Sequence, residues 1–278
     1  MIRSSRQRET SSVVPTSVPV VLSIAGSDNS GGAGIQADLK TFTTMGVYGT
    51  TAVTCVVAEH PGRVLNITPL PPARVADQIR LVLEVFPVVA IKTGMLYSAG
   101  IIEAVAKALK PAFARGVPLV IDPVMVASSG KVLLKPDGLR ALRKFIAHAA
   151  VVTPNRDEAA LLWGRPITDL KSLEEAAWDL AKGFHHPHIL AKGGHLESGE
   201  AIDILVTSSG QSWQFSTPRI PDIDPHGTGC TYSAAITAGL AKGLTMVEAV
   251  TLGKTFINRA LRTRFEVGSY QLLNHLPD

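Results

Sequence analysis

The sequence predicts an α/β fold, a mostly parallel sheet covered by helices on both faces. Short apolar runs alternate along the chain with segments of helical periodicity, and the glycine-rich and polar motifs fall where the runs end. The length of 278 residues, 46% of them hydrophobic, suffices for one large α/β domain or two small ones. No repeat and no linker interrupts the alternation. Residues 20–278 are therefore read as one domain behind an N-terminal tail, 1–19, which is Ser/Thr/Arg-rich, punctuated by proline and expected to be disordered.

Residues 20–25 form the first apolar run, ending at Gly26. In 34–45, Ile35, Leu39 and Phe42 share one helical face and Gly46 is the stop. Residues 50–58, rich in Val and Thr, read as a buried strand; 75–86 as an amphipathic helix closed by Pro87; 88–92 as a strand. A helix over 101–109 and a strand over 119–121 lead into Asp122-Pro123. Then come a strand at 150–153, helices at 157–162 and 173–184, and a strand at 188–191. Residues 201–206 and 212–215 read as a β-pair turning at Ser208-Ser209-Gly210. Two helices close the chain, the first over 232–240. Ligands of such sheets bind beyond the carboxyl ends of the strands, where every motif below falls.

Composition narrows the function classes. The net charge of +4 is small, and part of it lies in the tail at Arg3, Arg6 and Arg8. Lys and Arg are otherwise scattered without interleaved aromatics, which argues against nucleic acid as the main partner. Cys55 lies in an apolar run and reads as core, whereas Cys230 stands in a glycine-rich motif; the pair does not suggest a disulfide, and the chain reads as cytoplasmic. No apolar run is as long as a membrane span. The Arg-rich, acid-poor tail also has the composition of a short organelle-targeting peptide.

His226-Gly227-Thr228-Gly229-Cys230-Thr231 is the most informative segment. It follows a Pro-rich acidic loop, 221–225, and opens a helix. Glycines at a loop-to-helix junction leave N–H groups free to face an anion, and the helix dipole favours negative charge there. Cys230 falls in the first turn, where a thiolate is stabilised. An anion hole beside a poised side chain suggests acyl or phosphoryl transfer. The plainer alternative is a loop capped by Thr228 with Cys230 as a small buried residue.

A second glycine-rich segment spans 26–34. No Gly-Lys-Ser/Thr follows, so it is not a P-loop, and six residues separate its strand from Gly32-Ala33-Gly34, too many for a dinucleotide fingerprint. The loop instead lets backbone approach a small ligand. Asp38, one turn into the next helix, either faces that ligand or sits on the surface. Asn155 and Glu158 follow a strand end; they either hold magnesium through water or form a helix cap with a surface Glu. Lys192 before Gly193-Gly194 reaches a nucleotide phosphate or simply marks a turn, Asp122 adds charge to a magnesium shell, and His226 is placed to touch phosphate. Pro187 breaks the regular spacing that would make a metal site of His185-His186-Pro187-His188.

Together these segments resemble the ribokinase superfamily, and within it the bacterial hydroxymethylpyrimidine/phosphomethylpyrimidine kinase family of thiamine biosynthesis. The resemblance rests on ordered blocks: Ser23-Ile24-Ala25-Gly26-Ser27-Asp28, the stretch from Ser30 to Phe42, Lys92-Thr93-Gly94-Met95-Leu96, Asp122-Pro123-Val124-Met125-Val126, Thr153-Pro154-Asn155 with Glu158, Lys192-Gly193-Gly194-His195, and the segment from His226 to Thr231. It implies a ribokinase-like three-layer α/β/α sandwich. It implies transfer of the ATP γ-phosphoryl group to the hydroxymethyl of 4-amino-5-hydroxymethyl-2-methylpyrimidine, then to the monophosphate.

The resemblance places the pyrimidine at Gly26, Asp38, Glu59, Met95 and Val124, and ATP at Asn155, Lys192, His226 and Thr228. Mg2+ falls to Asp122 and Glu158. The amides of Gly227, Thr228, Gly229 and Cys230 become the anion hole and Cys230 the base, where relatives carry an aspartate. Residues 127–131 match a lid, and the family suggests a homodimer. One position departs: pyrimidine-specific members carry Gln where this chain has Glu59. A carboxylate only accepts, so Glu59 is expected to bind the ring protonated, as a charge-assisted bidentate pair, unless the substrate differs or Glu59 turns away. A pyridoxal kinase on the same fold is the nearest alternative; a non-catalytic ligand-binding protein and a nicotinamide oxidoreductase are the remote ones.

Overall fold

The computed structural model describes residues 17–276 apart from 128, 129, 186, 195, 197, 198, 208, 222, 224 and 225. The expected tail lies outside the described residues up to position 16, as do residues 128 and 129 of the lid, His186, His195, Ser208 and Pro225.

The first strand, β1 (Val20–Asp28), continues three residues past the apolar run, because its polar end, Ser27 and Asp28, still pairs with a neighbour. Helix α1 (Gly34–Thr44) follows, then β2 (Tyr48–His60). At Pro61-Gly62, where Gly62 has φ +88°, the chain reverses into β3 (Arg63–Pro69), an edge strand absent from the sequence reading. Next come α2 (Pro72–Val85), β4 (Val88–Thr93), α3 (Ala99–Ala108), the short α4 (Lys110–Ala114) and β5 (Leu119–Ile121). Helix α5 (Pro136–Ile146), also unforeseen, is followed by β6 (Val151–Val152), α6 (Arg156–Trp163), α7 (Leu170–Gly183) and β7 (His188–Lys192). The β-pair is β8 (Glu200–Val206) with β9 (Ser212–Pro218). The closing helices are α8 (Thr228–Ala241) and α9 (Met246–Arg262), and a small exposed hairpin, β10 (Phe265–Val267) with β11 (Tyr270–Leu272), ends the described elements.

Among the described residues, one nine-stranded sheet runs in the order β3-β2-β1-β4-β5-β6-β7-β8-β9. The pairings from β2 through β1 and β4 to β7 are parallel; β3, β8 and β9 join antiparallel. Strand alternation sorts the core into two faces. Leu22, Ile24, Ile91, Leu119, Ile121 and Val152 pack with α2, α3, α5, α6 and α7. Their neighbours Val21, Ala90, Val120 and Val151 point the other way, toward α8, α9 and α1. The result is the three-layer α/β/α arrangement with a mostly parallel central sheet.

The topology fixes where a ligand binds. From β1 the chain moves to β2 on one side, and from β4 outward to β7 on the other, so the strand order reverses between β1 and β4. A crevice opens outside the carboxyl ends at such a switch point. Helix α8 packs against β1, β4 and β5. Most of its buried residues are Ala, Ser, Thr and Gly, with Tyr232 and Ile236 the large ones, and a Cβ on Gly239 would stand 3.0 Å from that of Ala249 in α9, so the two helices also pack closely.

Candidate active site

The crevice is a cavity of about 400 Å³, the size of a small-molecule site. Every sequence-predicted site residue except Asp38 lines it: Gly26, Glu59, Met95, Val124, Asp122, Asn155, Glu158, Lys192, His226 and Gly227 to Cys230.

One part of the wall belongs to the glycine-rich loop and the strand ends beside it. Gly26 faces Met95, whose sulfur would lie 3.4 Å from an added Cβ. Gly34 has φ +58°, and a Cβ there would stand 2.4 Å from the Gly26 carbonyl, so the loop closes only with glycine. Val124, just past the end of β5, has φ +35°. A β-branched residue in the left-handed region is strained, and such strain gathers at ligand sites.

The segment expected to form an anion hole falls at the start of α8. Gly227 is the N-cap at φ +82°, and a Cβ on it would stand 1.8 Å from the Gly32 carbonyl. The two glycine-rich loops therefore touch backbone to backbone. The first N–H groups of a helix have no carbonyl four residues back, and those of α8 belong to residues that line the cavity.

Facing Gly229 is a charged pair. Lys192 Nζ lies 3.1 Å from Asp122 Oδ1, and Thr153 and Ser233 hydroxyls also donate to this carboxylate. Burial works to raise the Asp122 carboxyl, but Lys192 and Lys92 outweigh it and hold the group below the usual carboxylate range. Glu158 is pushed up to about 7, chiefly by burial, with Lys192 opposing and Asp122 adding to the rise. Its two oxygens accept the N–H groups of Asn155 and Met125, and the Asn155 side chain caps the Glu158 N–H in return. The Asn155–Glu158 pair is thus a capping box at the start of α6. The expected helix cap is therefore present, but Glu158 is buried and not a surface residue.

Cys230 also corrects an expectation. A helix N-terminus was to stabilise its thiolate, yet burial pushes the thiol up to about 11, and the carboxylates of Asp122 and Asp38 add to the rise. Lys92 and the Gly34 N–H act in the opposite sense. Asp38 departs from both of its expected places. It is fully buried, neither facing a ligand nor lying on the surface: Ser23 donates to it at 2.5 Å and Lys92 at 2.7 Å. Burial works to discharge Lys92, but Asp38, with Cys230 and Asp122, more than offsets it and keeps the ammonium charged. His226 lines the cavity as expected, and its ring also meets the Asp28 carboxylate, at 3.1 Å across the glycine-rich loop.

The sequence missed several lining residues. Asp28, Asp203, Lys254 and Asn258 all face the cavity. Asp28 had a local signal, an Asp two residues before a Ser whose N–H and Oγ it binds. Asp203 and Lys254 form a pair at 2.7 Å between β8 and α9, far apart in the chain, and no local pattern announces it. Asp28, Glu59 and His226 bring oxygen and nitrogen atoms within 4.8 Å of one another. Asp28 already accepts hydrogen bonds from Ser30, Gly32 and Ala33 as well as His226, so the trio is a hydrogen-bonded hub and a poor metal cage.

Known proteins share this fold. The structure of Staphylococcus aureus pyridoxal kinase in complex with AMP-PCP and pyridoxal matches with a TM-score of 0.82 at 32% identity, over 94% of each chain. A phosphomethylpyrimidine kinase structure from Clostridium difficile matches with a TM-score of 0.73 at 38% identity, over 87% of this chain and 98% of that one. The hydroxymethylpyrimidine/phosphomethylpyrimidine kinase of Rhizobium meliloti is 41% identical over 90% of this chain and 93% of its own length. The thiamine biosynthesis bifunctional protein ThiED of Geobacter sulfurreducens is 42% identical over 92% of this chain, which spans only 52% of that protein. Fold and cavity thus define a ribokinase-like phosphotransferase. The phosphomethylpyrimidine kinase family model matches residues 28–275, and the chain belongs to that family.

Proposed function

We propose that the chain phosphorylates 4-amino-5-hydroxymethyl-2-methylpyrimidine with ATP, and then its monophosphate to the diphosphate, in thiamine biosynthesis. The observation that carries this reading is the place of Cys230: it lines the cavity at the start of α8, with Gly26, Met95, Val124 and Glu59 on one wall and Asp122 and Lys192 on the other. The pyrimidine occupies the first wall and the ATP phosphates approach along the second, with Asn155, Thr228 and His226 completing the nucleotide side.

In the transfer, Cys230 as thiolate takes the hydroxymethyl proton while that oxygen forms a bond to the γ-phosphorus and the bond to the ADP oxygen breaks. The transition state is loose, with charge spread over the moving phosphoryl oxygens. The Gly227, Thr228, Gly229 and Cys230 amides hold that charge, preorganised by the helix, and Lys192 adds a cation. The residues fit Mg2+: Asp122 and Glu158 are oxygen donors, and Mg2+ keeps most of its waters and is bound by one or two carboxylates with substrate phosphates. When bound, the ion would neutralise charge on the substrate phosphates. No described helix is long and apolar enough to cross a membrane. A homodimer is supported by exposed Val56 and Leu65 on β2 and on β3, the strand at the sheet edge.

Phosphorus NMR of the reaction with magnesium-ATP tests the reading. The monophosphate signal rises first and is then replaced by diphosphate. A reaction that stops at the monophosphate removes the second step. One observation favours a second reading, pyridoxal phosphorylation: the Staphylococcus aureus pyridoxal kinase in complex with AMP-PCP and pyridoxal matches this fold over 94% of each chain.

A further inference from the structure

Asp28 is a buried carboxylate with more donors than a loop needs. At the end of β1 it is 2% exposed and accepts from Ser30 N at 2.7 Å, Ser30 Oγ at 3.0 Å, Gly32 N at 3.1 Å and Ala33 N at 2.7 Å. These bonds wind the glycine-rich loop around a single side chain. The remaining donor is His226 Nε2 at 3.1 Å, from the residue just before the anion hole. An ionised carboxylate only accepts, so Nε2 carries the proton. Burial works to raise the Asp28 carboxyl, but His226, Ser30 and the Ala33 N–H hold it well below the usual range. The imidazole also abuts the loop: a Cβ on Gly32 would stand 2.6 Å from His226 Cδ2. One residue later the Gly227 backbone meets the Gly32 carbonyl.

We propose that Asp28 is a positioning residue that latches His226, and with it the opening turn of α8, onto the glycine-rich loop, so that the acceptor wall and the phosphoryl-binding turn are set as one unit. Neither side chain takes or gives a proton in the transfer. Their work is to fix the distance between two backbone segments that belong to different ends of the chain. That distance sets the line from acceptor oxygen to phosphorus, and a displacement of about 1 Å in such a line costs about a hundredfold in rate. The latch rests on reading the cavity as a two-substrate site.

His226→Phe and His226→Gln separate the latch from mere packing. Phe keeps a ring against Gly32 and loses the donor; Gln keeps a donor and loses the ring. Hydrogen exchange of the unliganded protein reads the latch without substrate. In His226→Phe, the amides of the 28–34 loop and of the 226–231 turn lose protection together, while the central strands keep theirs. With substrates, kcat falls at least tenfold for Phe, with KM changed less than threefold, and Gln recovers most of the loss. Asp28→Asn, which keeps volume and removes acceptor capacity, gives the same pattern, and the double variant Asp28→Asn/His226→Phe is no worse than the poorer single one. Wild-type kcat in His226→Phe, additive losses in the double variant, or protection lost in only one segment overturns the latch. Absence of pyrimidine turnover in the wild type would instead remove the substrate reading and leave the exchange result standing.

Discussion

At the scale of single residues, the electrostatics of Cys230 and Glu59 set what the chemistry requires. A thiol pushed up to about 11 is almost wholly protonated at neutral pH, and its thiolate fraction grows tenfold per pH unit. If the thiolate is the reacting base, log kcat rises with pH at a slope near one between about pH 7 and 9. A flat profile there reduces Cys230 to a lining residue. Cys230→Ala should lower kcat by about 10²–10⁴, the usual worth of a base, with KM changed less. Glu59 is pushed up to about 7, first by burial and then by the neighbouring Asp28. Between its ordinary value of 4.5 and about 7, the folded carboxyl keeps a proton that the unfolded one has lost. Stability therefore falls as pH rises through that window. Glu59→Gln removes this slope, so its melting temperature gains on the wild type from pH 5 to pH 8; parallel curves would contradict the shift. The same variant flattens the pH dependence of pyrimidine affinity if Glu59 holds a protonated ring. Beneath them, Asp38→Asn leaves the buried Lys92 ammonium uncompensated and should cost about 3–5 kcal/mol in denaturant unfolding. A loss below 1 kcal/mol would mean that water reaches the pair.

At the scale of elements, the two glycine-rich segments were legible for a physical reason: only glycine tolerates the conformations and contacts they need. Gly227→Ala puts a Cβ into the Gly32 carbonyl and should lower activity at least a hundredfold. Gly62→Ala, also at positive φ but with nothing within 4 Å of the new Cβ, should cost about 1–2 kcal/mol and leave activity intact. Equal losses in both would show that conformation, not contact, is what matters at Gly227. The elements that escaped the sequence did so for identifiable reasons. Strand β3 lies at the edge with most of its residues exposed, so it carries no apolar run. Helix α5 has Pro136 at its first turn and buries Ala141, Leu142, Phe145 and Ile146, but charged residues between them break up the apolar stretch. Strand β6 is only two residues long in the sheet, shorter than its apolar context suggests.

At the scale of the whole molecule, the parallel order around β1 and β4 gathers chemistry from segments far apart in sequence. Asp122, Glu158, Lys192 and Cys230 each stand at the end of a different strand or the start of a helix, and the strand ends alone placed them at one edge of the sheet. What the sequence could not place is what depends on depth. Asp38 has the spacing of a ligand-facing residue, yet it turns inward because Lys92 on β4 offers it a buried cation. His226 lines the cavity, and its bond to Asp28, 198 residues earlier in the chain, had no signal in the sequence. The Asp203–Lys254 pair closes the far wall and is visible only once β8 and α9 meet.

The central claim is pyrimidine phosphorylation at this cavity. ADP release with magnesium-ATP, measured in parallel on the hydroxymethylpyrimidine, its monophosphate and pyridoxal, tests it most directly. Turnover on both pyrimidines, with kcat/KM at least tenfold above that for pyridoxal, is the predicted result. Turnover on pyridoxal alone would contradict it, keeping the fold and the anion hole but making Glu59 the mark of a different ring.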